Sequence, residues 1–366
     1  MKPIEALMIP AGQDHWPAWR LTNNKGASVT ILSWGASVLE IFVPDHKGNL
    51  NDVVLGFRQP NDYRVNDPKL GCVVGPYANR IHRGQFFLNK KQIQLSRNNN
   101  GHHLHGGHQG LHRQRWQLLK SEQDTEKATL ELHCHLDEEV SGYPASYNIT
   151  VRYTWSNHCE LRIEYHAKAN DDTIINLTQH SYFNLAGVEN INQITGHQLW
   201  VNSNKVCEVD SAMIPTGKYQ STMNTSLDFS ALTTISERWD LEDSLLKKAK
   251  GMDHNWVFDH QKGKVQLVAA IYEPNSQRHI RLFSDQPGLQ VYSGNFLDHV
   301  AGKYQQNYTP QTGLCLETQH YPDSPNHAEF PNVFLNKGET FTSTTVYQFG
   351  VSKPTCNPAA NQPTPY

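Results

Sequence analysis

Apolar and polar residues alternate along most of this chain, a pattern typical of β-strands that bury one face. Turn-forming residues such as those of Asp45–Gly48 separate the alternating runs. Strand follows strand without the intervening helices of βαβ units, so we predict an all-β fold, a large antiparallel β-sandwich with very little helix. The clearest predicted strands are Ala27–Leu32, Ala128–Cys134, Tyr147–Tyr153, Glu160–Tyr165, His279–Phe283 and Thr340–Phe349.

Helical periodicity is limited to Arg238–Lys250, which predicts at most one short helix. No linker divides the chain, and we therefore expect residues 1–352 to form a single domain. The tail Lys353–Tyr366 carries four prolines and few apolar residues, and we expect it to be disordered or draped over the surface.

Charge and cysteine usage exclude several classes of protein. The 366 residues contain 32 Lys and Arg against 35 Asp and Glu, and no basic stripe supports nucleic-acid binding. The six cysteines include no CxxC pair, which predicts reduced, mostly buried thiols in a cytoplasmic protein. The N-terminus lacks the apolar core of a signal peptide, and no 18-residue apolar run predicts a membrane span.

Candidate chemistry begins with Glu317, which follows an apolar run and precedes a loop rich in Pro, Asp, Ser and Asn. A carboxylate at the end of a buried strand is unfavourable unless it is hydrogen-bonded. Partial desolvation would raise the pKa of the Glu317 carboxyl towards neutrality, as a general base requires. A structural role, with the carboxylate accepting backbone N–H bonds at the strand end, remains equally open from this segment alone.

Two further segments combine a basic side chain with small polar residues. Asn79 and Arg80 suit an oxygen-rich ligand, although Arg80 could equally pair with a buried carboxylate. Several histidines lie within 102–112, but no Cys or carboxylate joins them at ligand spacing, and we expect no metal. We expect one imidazole, presented by the Gly106–Gly107 loop, to contact a ligand and the others to be solvated.

A proton donor and a sugar-binding surface are also suggested. His180 lies among polar and aromatic residues and is a natural partner for Glu317, although a lone histidine is more often a structural one. Asp253, Asn255 and Gln290 lie beside aromatic residues, a combination typical of carbohydrate sites. The sequence contains no P-loop, dinucleotide fingerprint or nucleophile elbow.

In this order, the motifs resemble those of the aldose 1-epimerase (galactose mutarotase) family, from about Leu21 to Gly350. The stretches that carry the resemblance are Leu32–Ala36, Val43–Asp45, Gly48, Asp52–Phe57, Asn79–Ile81, Leu104–Gly107, His180–Asn184, Asp253–Asn255 and Glu317–His320. The resemblance implies a galactose mutarotase-like β-supersandwich and an isomerase that interconverts the α and β anomers of free aldohexoses, such as galactose and glucose, without a cofactor.

By the same resemblance, Glu317 is the general base at the C1 hydroxyl and His180 is the general acid at the ring oxygen. The sugar-binding positions are Asn79, Arg80, His105, Asp253 and Gln290. The expected partner is a small aldose, with neither nucleic acid nor a membrane involved, and the protein is expected to be a monomer or homodimer.

Two departures from the family pattern bear on specificity. Gln179 precedes the histidine where the family often has Asn, and Gly75-Pro76-Tyr77 replaces a more usual Gly-Arg pair ahead of Ala-Asn-Arg. Two other functions stay open. One is a sugar-phosphate epimerase, which should need extra basic residues. The other is a non-catalytic sugar-binding or regulatory protein, which the presence of both Glu317 and His180 disfavours.

Overall fold

The protein is built almost entirely of antiparallel β-sheets, as the alternating pattern predicted. The structure is a computed structural model that describes residues 4–189, 191–259 and 263–356. All six strands predicted from alternation are present, and strands follow one another along the chain without crossover helices. The all-β expectation is therefore confirmed.

The strands of the described residues are mostly short, and the longest, with 10 or 11 residues, belong to one sheet. In chain order they are β1 Glu5–Ala11, β2 Asp14–Thr22, β3 Ser28–Leu32, β4 Ser37–Pro44, β5 Leu50–Asp52, β6 Val73–Val74, β7 Arg80–Ile81, β8 Gln85–Leu88, β9 Lys91–Gln94, β10 His103–Leu104, β11 Gln117–Gln123, β12 Lys127–Leu136, β13 Tyr147–Ser156, β14 Glu160–Ala169, β15 Thr173–Ile174, β16 Thr178–Gln179, β17 Tyr182–Phe183, β18 Gln198–Val201, β19 Lys205–Val209, β20 Pro215–Ser221, β21 Thr233–Thr234, β22 Asp253–Val257, β23 Gln266–Tyr272, β24 Arg278–Ser284, β25 Gly288–Tyr292, β26 Val300–Ala301, β27 Asn307–Tyr308, β28 Leu314–Gln319, β29 Phe334–Leu335 and β30 Phe341–Val351.

Helix is confined to short segments between strands. Two α-helices occur in the described residues, α1 at Glu138–Ser141 and α2 at Ser244–Ala249. The second lies within the segment predicted as helix, and Asp243 caps its first turn by accepting a hydrogen bond from the backbone N–H of Leu245 at 2.9 Å. Short 3₁₀ turns occupy Pro60–Arg64, His82–Gly84, Gly107–Gln109, Leu111–Arg113, Ile194–Gly196, Ile235–Arg238, Lys303–Gln305 and Ser324–Asn326.

Three sheets surround the main apolar core. The nine-stranded sheet has the order β11-β12-β13-β14-β30-β24-β23-β18-β21, the six-stranded sheet β17-β28-β25-β22-β19-β20, and the five-stranded sheet β1 to β5. One buried cluster contains side chains from all three, among them Val29, Ile149 and Leu316. The hydroxyl of Tyr347 in β30 also donates to the carbonyl of Leu316 in β28 at 2.9 Å, which joins the two largest sheets.

The six-stranded sheet places the polar side chains through its register. Gln290 of β25 is paired with Asn255 of β22 on one side and with Glu317 of β28 on the other. Because side chains in register on adjacent strands point to the same face of a sheet, these three polar residues form one row across it. The site is therefore built on this sheet.

Other expectations concern the thiols, the tail and the membrane. All six cysteines are free, and all but Cys356 are buried, as predicted. No helix in the described ranges is long and apolar enough to cross a membrane. Of the predicted tail, only residues 353–356 are described, with Pro354 buried, and the rest lies outside the described residues. The single domain over residues 1–352 stays a prediction.

Candidate active site

A cavity of about 570 Å³ opens beside the six-stranded sheet. Its lining includes most of the residues proposed from sequence, namely Asn79, Arg80, His105, His180, Asp253 and Glu317. Gln290 does not line the cavity directly, but its side-chain amide donates to the carboxylate of Asp253 at 2.6 Å. The fold thus brings together residues that are up to 238 positions apart, from Asn79 to Glu317, in one polar pocket.

Glu317 lies in β28 and is buried, with 1% of its surface exposed. Its Oε2 atom has no hydrogen-bond partner among the described residues, so the carboxylate is not the structural acceptor of backbone N–H bonds that the sequence left open. Burial raises the pKa of the Glu317 carboxyl well above its ordinary value, and the nearby charge of Asp253 raises it further. The guanidinium of Arg80 opposes both effects on this pKa.

His180 lies between β16 and β17, and its Nε2 is 3.6 Å from Oε1 of Glu317. Backbone hydrogen bonds hold the residue on both sides, since its N–H donates to the carbonyl of Cys72 at 2.9 Å and its carbonyl accepts from the N–H of Gly71 at 3.0 Å. Burial lowers the pKa of the His180 imidazole to about 3. The two candidate proton-transfer groups are therefore adjacent and buried.

Asn79 and His105 hold one another in place. The N–H of His105 donates to the carbonyl of Asn79, and the N–H of Asn79 donates to Nδ1 of His105, both at 3.1 Å. Both residues adopt left-handed backbone, with φ of 67° and 52°, a conformation that persists where surrounding contacts enforce it. Because Nδ1 accepts a hydrogen bond, the neutral imidazole carries its proton on Nε2 and can donate it into the cavity.

The loop that carries His105 requires a glycine next to it. Gly106 has a φ of 80°, and a Cβ added there would lie 1.9 Å from the carbonyl oxygen of Gly75. No side chain fits at that distance without displacing the backbone. The close approach of these two segments therefore fixes where His105 points.

Arg80 and Asp253 face each other across the cavity. A guanidinium Nη2 atom of Arg80 lies 3.6 Å from the carboxylate of Asp253. Both open readings of Arg80 are thus realised, because it pairs with a carboxylate and also lines the cavity. The side-chain amide of Gln290 binds the other carboxylate oxygen of Asp253, and its own Oε1 is buried without a partner among the described residues.

Comparison with known proteins supports the resemblance. Residues 17–348 match the family described as Aldose 1-epimerase. The chain belongs to the aldose 1-epimerase family. It is 35% identical to galactose mutarotase from Bos taurus, over 88% of this chain and 91% of the relative. It is 31% identical to aldose 1-epimerase from Escherichia coli K12, over 93% and 97% of the respective chains.

A solved structure shows that this family's fold is shared. A GalM/aldose epimerase homologue from C. elegans superposes with a TM-score of 0.83 at 27% identity, covering 95% of this chain and 100% of its own. The galactose mutarotase-like β-sandwich and the assignment to the isomerases are thereby confirmed.

The histidine-rich segment of this aldose 1-epimerase differs in part from expectation. His105 lines the cavity, as predicted for one imidazole of the segment. The expectation that the others are solvated is wrong for His103 and His112, which are both buried. The imidazole of His103 bonds to the Tyr143 hydroxyl and the Ser96 carbonyl, both at 2.8 Å, so it belongs to the core.

Three side chains of the site have the composition of a metal centre. Ligand atoms of His105, His180 and Glu317 lie within 4.8 Å of one another. However, the hydrogen bond that Asn79 donates to Nδ1 of His105 leaves Nε2 as the protonated nitrogen. A metal ion would need the lone pair of that nitrogen, which must then be unprotonated. The arrangement therefore suits a hydrogen-bond donor better than a metal ligand.

Sequence reasoning missed several lining residues. Tyr182 lies in the His180–Asn184 motif, and Tyr292 and Phe296 follow Gln290 in the sequence. Their aromatic character next to polar residues was the available signal. Lys69 and Lys248 also line the cavity, although neither lies in a matched motif. Nothing in the sequence around these two lysines distinguished them from surface residues.

The two departures from the family pattern lie outside the cavity lining. The side chain of Gln179 accepts a hydrogen bond from Tyr153 at 3.1 Å and donates to the carbonyl of Gly71. The hydroxyl of Tyr77 donates to the carbonyl of Tyr321 at 2.9 Å. Both side chains support the walls of the pocket rather than contacting its interior.

Proposed function

We propose that this aldose 1-epimerase interconverts the α and β anomers of free aldohexoses, with Glu317 as the base and His180 as the acid. The observation that carries the proposal is the 3.6 Å separation of Oε1 of Glu317 from Nε2 of His180, both buried and both lining one cavity. A positioned acid or base typically contributes about 10²–10⁴-fold to a rate. Holding the sugar between the two groups adds the effect of proximity.

The reaction is a balanced proton transfer. Glu317 removes the proton from the C1 hydroxyl, the bond between C1 and the ring oxygen breaks as the C1 carbonyl forms, and His180 gives its Nε2 proton to the ring oxygen. Rotation about C1–C2 then exposes the other face of the carbonyl. On closure, His180 takes the proton back from the C5 hydroxyl, and Glu317 returns its proton to the C1 oxygen.

The pair holds one proton, and binding decides where that proton lies. Burial disfavours both charged forms, because it raises the pKa of Glu317 and lowers that of His180 to about 3. In the empty cavity the proton therefore lies on Glu317. Sugar hydroxyls that donate to Oε2 of Glu317 stabilise the carboxylate, and a ring oxygen that accepts from Nε2 stabilises the protonated imidazole. A bound sugar thus moves the proton to where ring opening needs it.

The remaining polar groups suit a neutral sugar. Arg80 and His105 offer donors, Asp253 offers an acceptor, and the unpartnered Oε1 of Gln290 lies beside it. Asn79 supports the set through its bonds to His105. Galactose and glucose are the proposed substrates, supported by the naming of several relatives as galactose mutarotase. The enzyme would then act in hexose metabolism.

Two lysines bear on the alternative that the substrate is a sugar phosphate. Lys69 and Lys248 line the cavity, although no added basic cluster is apparent near the matched motifs in the sequence. The ammonium of Lys69 donates to the carbonyls of Asn66 and Asp67 at 3.2 and 2.9 Å, and that of Lys248 donates to Val209 at 3.1 Å. Since backbone carbonyls engage both ammonium groups, we favour a neutral aldose.

Polarimetry tests the proposal. Freshly dissolved α-D-galactose, α-D-glucose and glucose 6-phosphate are followed with and without protein, and we expect acceleration for the first two. Glu317→Gln and His180→Asn should each lower kcat by about 10³-fold while the protein stays folded. Glu139→Gln and His158→Asn, at exposed positions, are the matched controls. If the protein accelerates neither neutral sugar, the substrate assignment is wrong. A wild-type rate in Glu317→Gln would overturn the role of Glu317 as the base.

Location and assembly remain proposals. The six free cysteines, five of them buried, support a reducing compartment such as the cytoplasm. We expect a monomer or homodimer that needs no nucleic acid or membrane for activity, which size-exclusion chromatography with light scattering can measure.

A further inference from the structure

The imidazole of His180 is held between two side chains of a single strand. Its Nε2 is 3.6 Å from Oε1 of Glu317, and its Nδ1 is 3.6 Å from Sγ of Cys315. Cys315 and Glu317 are two positions apart in β28, so both side chains point to the same face of the strand. The ring therefore bridges alternate residues of β28, with one nitrogen on each.

The register of the neighbouring strands keeps Cys315 in this place. It pairs with Tyr182 of β17 on one side and with Tyr292 of β25 on the other. The thiol is fully buried, and it is not part of the cavity lining. Its contact with the imidazole is thus made from behind, on the side away from the substrate.

The proton transfers proposed above place a requirement on Nδ1. His180 is doubly protonated before it gives up the Nε2 proton, and afterwards it is neutral with its proton on Nδ1. Nδ1 is therefore protonated throughout the cycle, and only Nε2 exchanges protons. A hydrogen-bond acceptor is needed beside Nδ1, and the sulfur of Cys315 is at that position.

We propose that Cys315 is a positioning residue whose sulfur accepts the Nδ1–H of His180 and so directs Nε2 towards Glu317 and the sugar. This inference rests on the proposed role of His180 as the acid.

A thiol differs from the carboxylate that orients the histidine in Ser-His-Asp triads. Burial and the nearby charge of Glu317 raise the pKa of the Cys315 thiol well above its ordinary value, so the sulfur is uncharged. An uncharged, weak acceptor orients the ring without stabilising the imidazolium as an anion would. The protonated imidazole therefore remains a strong acid, as protonation of a weakly basic ring oxygen requires. Tyr182 also hydrogen-bonds the Cys315 thiol. Because its hydroxyl hydrogen is donated to the carbonyl of Pro68 at 2.6 Å, its oxygen can accept the S–H and leaves the sulfur lone pairs for Nδ1–H.

Three variants separate the acceptor from the volume of the side chain. Cys315→Val fills similar space without an acceptor, and we expect kcat to fall roughly tenfold while KM changes less than about twofold. Cys315→Ser keeps an acceptor, and its kcat should stay within about threefold of wild type. Cys134→Ala removes a buried thiol from β12, remote from the cavity, and should leave kcat unchanged. Thermal melting verifies that each variant is folded.

Nitrogen NMR of ¹⁵N-histidine-labelled protein reads the tautomer directly, with the His180 signals assigned from their loss in His180→Asn. In unliganded wild type we expect Nδ1 protonated and Nε2 unprotonated, and in Cys315→Val a mixture of the two tautomers. Tyr182→Phe should keep the wild-type tautomer.

The outcomes distinguish this inference from the proposed function. Two results would overturn the role of Cys315. One is an Nε2–H tautomer in the wild type, and the other is a Cys315→Val variant with the same kcat and the same tautomer populations as the wild type. If this occurs while His180→Asn is inactive, the proposed function stands. A wild-type rate in His180→Asn would instead overturn the assignment of His180 itself.

Discussion

The cavity has two walls that are built in different ways. The strand wall consists of Asp253 and Glu317, which the register of three adjacent strands places on one face together with Gln290, the hydrogen-bond partner of Asp253. The loop wall consists of Asn79 and His105, which reciprocal hydrogen bonds and left-handed backbone hold in place. A register is maintained by many ladder hydrogen bonds, whereas the loop wall depends on a few close contacts. We therefore expect side-chain substitutions in the strand wall to change activity while the backbone stays in place. In the loop wall, we expect changes of the backbone itself to have the larger effect.

The largest effect should come from removing both proton-transfer groups. In the double variant Glu317→Gln/His180→Asn we expect a fall in kcat no greater than about tenfold beyond the worse single variant, because the two residues act as one unit. Polarimetry with α-D-galactose measures the three rates. A double variant whose loss equals the product of both single losses would show that the residues act independently.

The loop wall should respond strongly to one methyl group. A Cβ at Gly106 would lie 1.9 Å from the carbonyl of Gly75, so Gly106→Ala must shift the backbone that carries His105. We expect a destabilisation of about 2–4 kcal/mol and a fall in kcat/KM of about 10²-fold. Denaturant unfolding and polarimetry measure the two.

Gly101→Ala is the matched control for this substitution. Gly101 also has left-handed backbone, with a φ of 82°, but an added Cβ meets nothing within 4 Å. The Gly101→Ala variant should lose only the stability that the strained left-handed conformation costs an alanine, and it should keep nearly full activity. Equal losses in both alanine variants would mean that strain, rather than the contact with Gly75, controls the loop wall.

Arg80 and Asp253 should affect Glu317 in opposite directions. Asp253 raises the pKa of the Glu317 carboxyl and Arg80 lowers it. Because the active pair holds one proton, which lies on Glu317 in the empty cavity, loss of that proton sets the alkaline limb of kcat/KM. Asp253→Asn should move this alkaline limb to lower pH, and Arg80→Gln should move it to higher pH, while each raises KM about tenfold. Shifts of the same sign in both pH profiles would contradict this electrostatic assignment.

The smallest effect concerns stability rather than rate. The folded pKa of Glu317 is raised, so the unfolded chain ionises first as pH rises above about 4.5, and wild type loses stability from there up to the folded pKa. Glu317→Gln removes this loss, and each unit of pKa shift is worth about 1.4 kcal/mol. Urea unfolding should therefore show the variant gaining on wild type as the pH rises above about 4.5, with exposed Glu139→Gln as the control. A constant difference across that range would exclude the effect.

Much of the fold could be predicted because alternation is a local property of the sequence. The six predicted strands lie within β3, β12, β13, β14, β24 and β30, apart from one residue at the start of two of them. The helix predicted over 238–250 is only partly realised, since Ser244–Ala249 is helical, Arg238 ends a short 3₁₀ turn, and residues 239–243 form turns and irregular backbone. Tertiary packing outweighs weak helical periodicity in so short a segment.

The site residues are recognisable in the sequence by their neighbours, whereas contacts between distant segments leave no such local signal. Glu317 and His180 lie in recognisable motifs, and the structure places both in the cavity. Lys69 lies in the long connection between β5 and β6, and it lines the same cavity only because the fold brings that connection to it. His103 resembles the neighbouring histidines in sequence, yet it is buried in the core because the hydroxyl of Tyr143 forms a hydrogen bond with its imidazole.

The sequence alone determined the strand pattern, the family resemblance and the identity of the candidate acid and base, since each is written in local residue order. Only the tertiary structure decided that Glu317 has an unpartnered oxygen and that one face of β28 touches both nitrogens of His180. Strand register and burial create these relations between residues far apart in the chain. They depend on where distant strands meet, which no local pattern encodes.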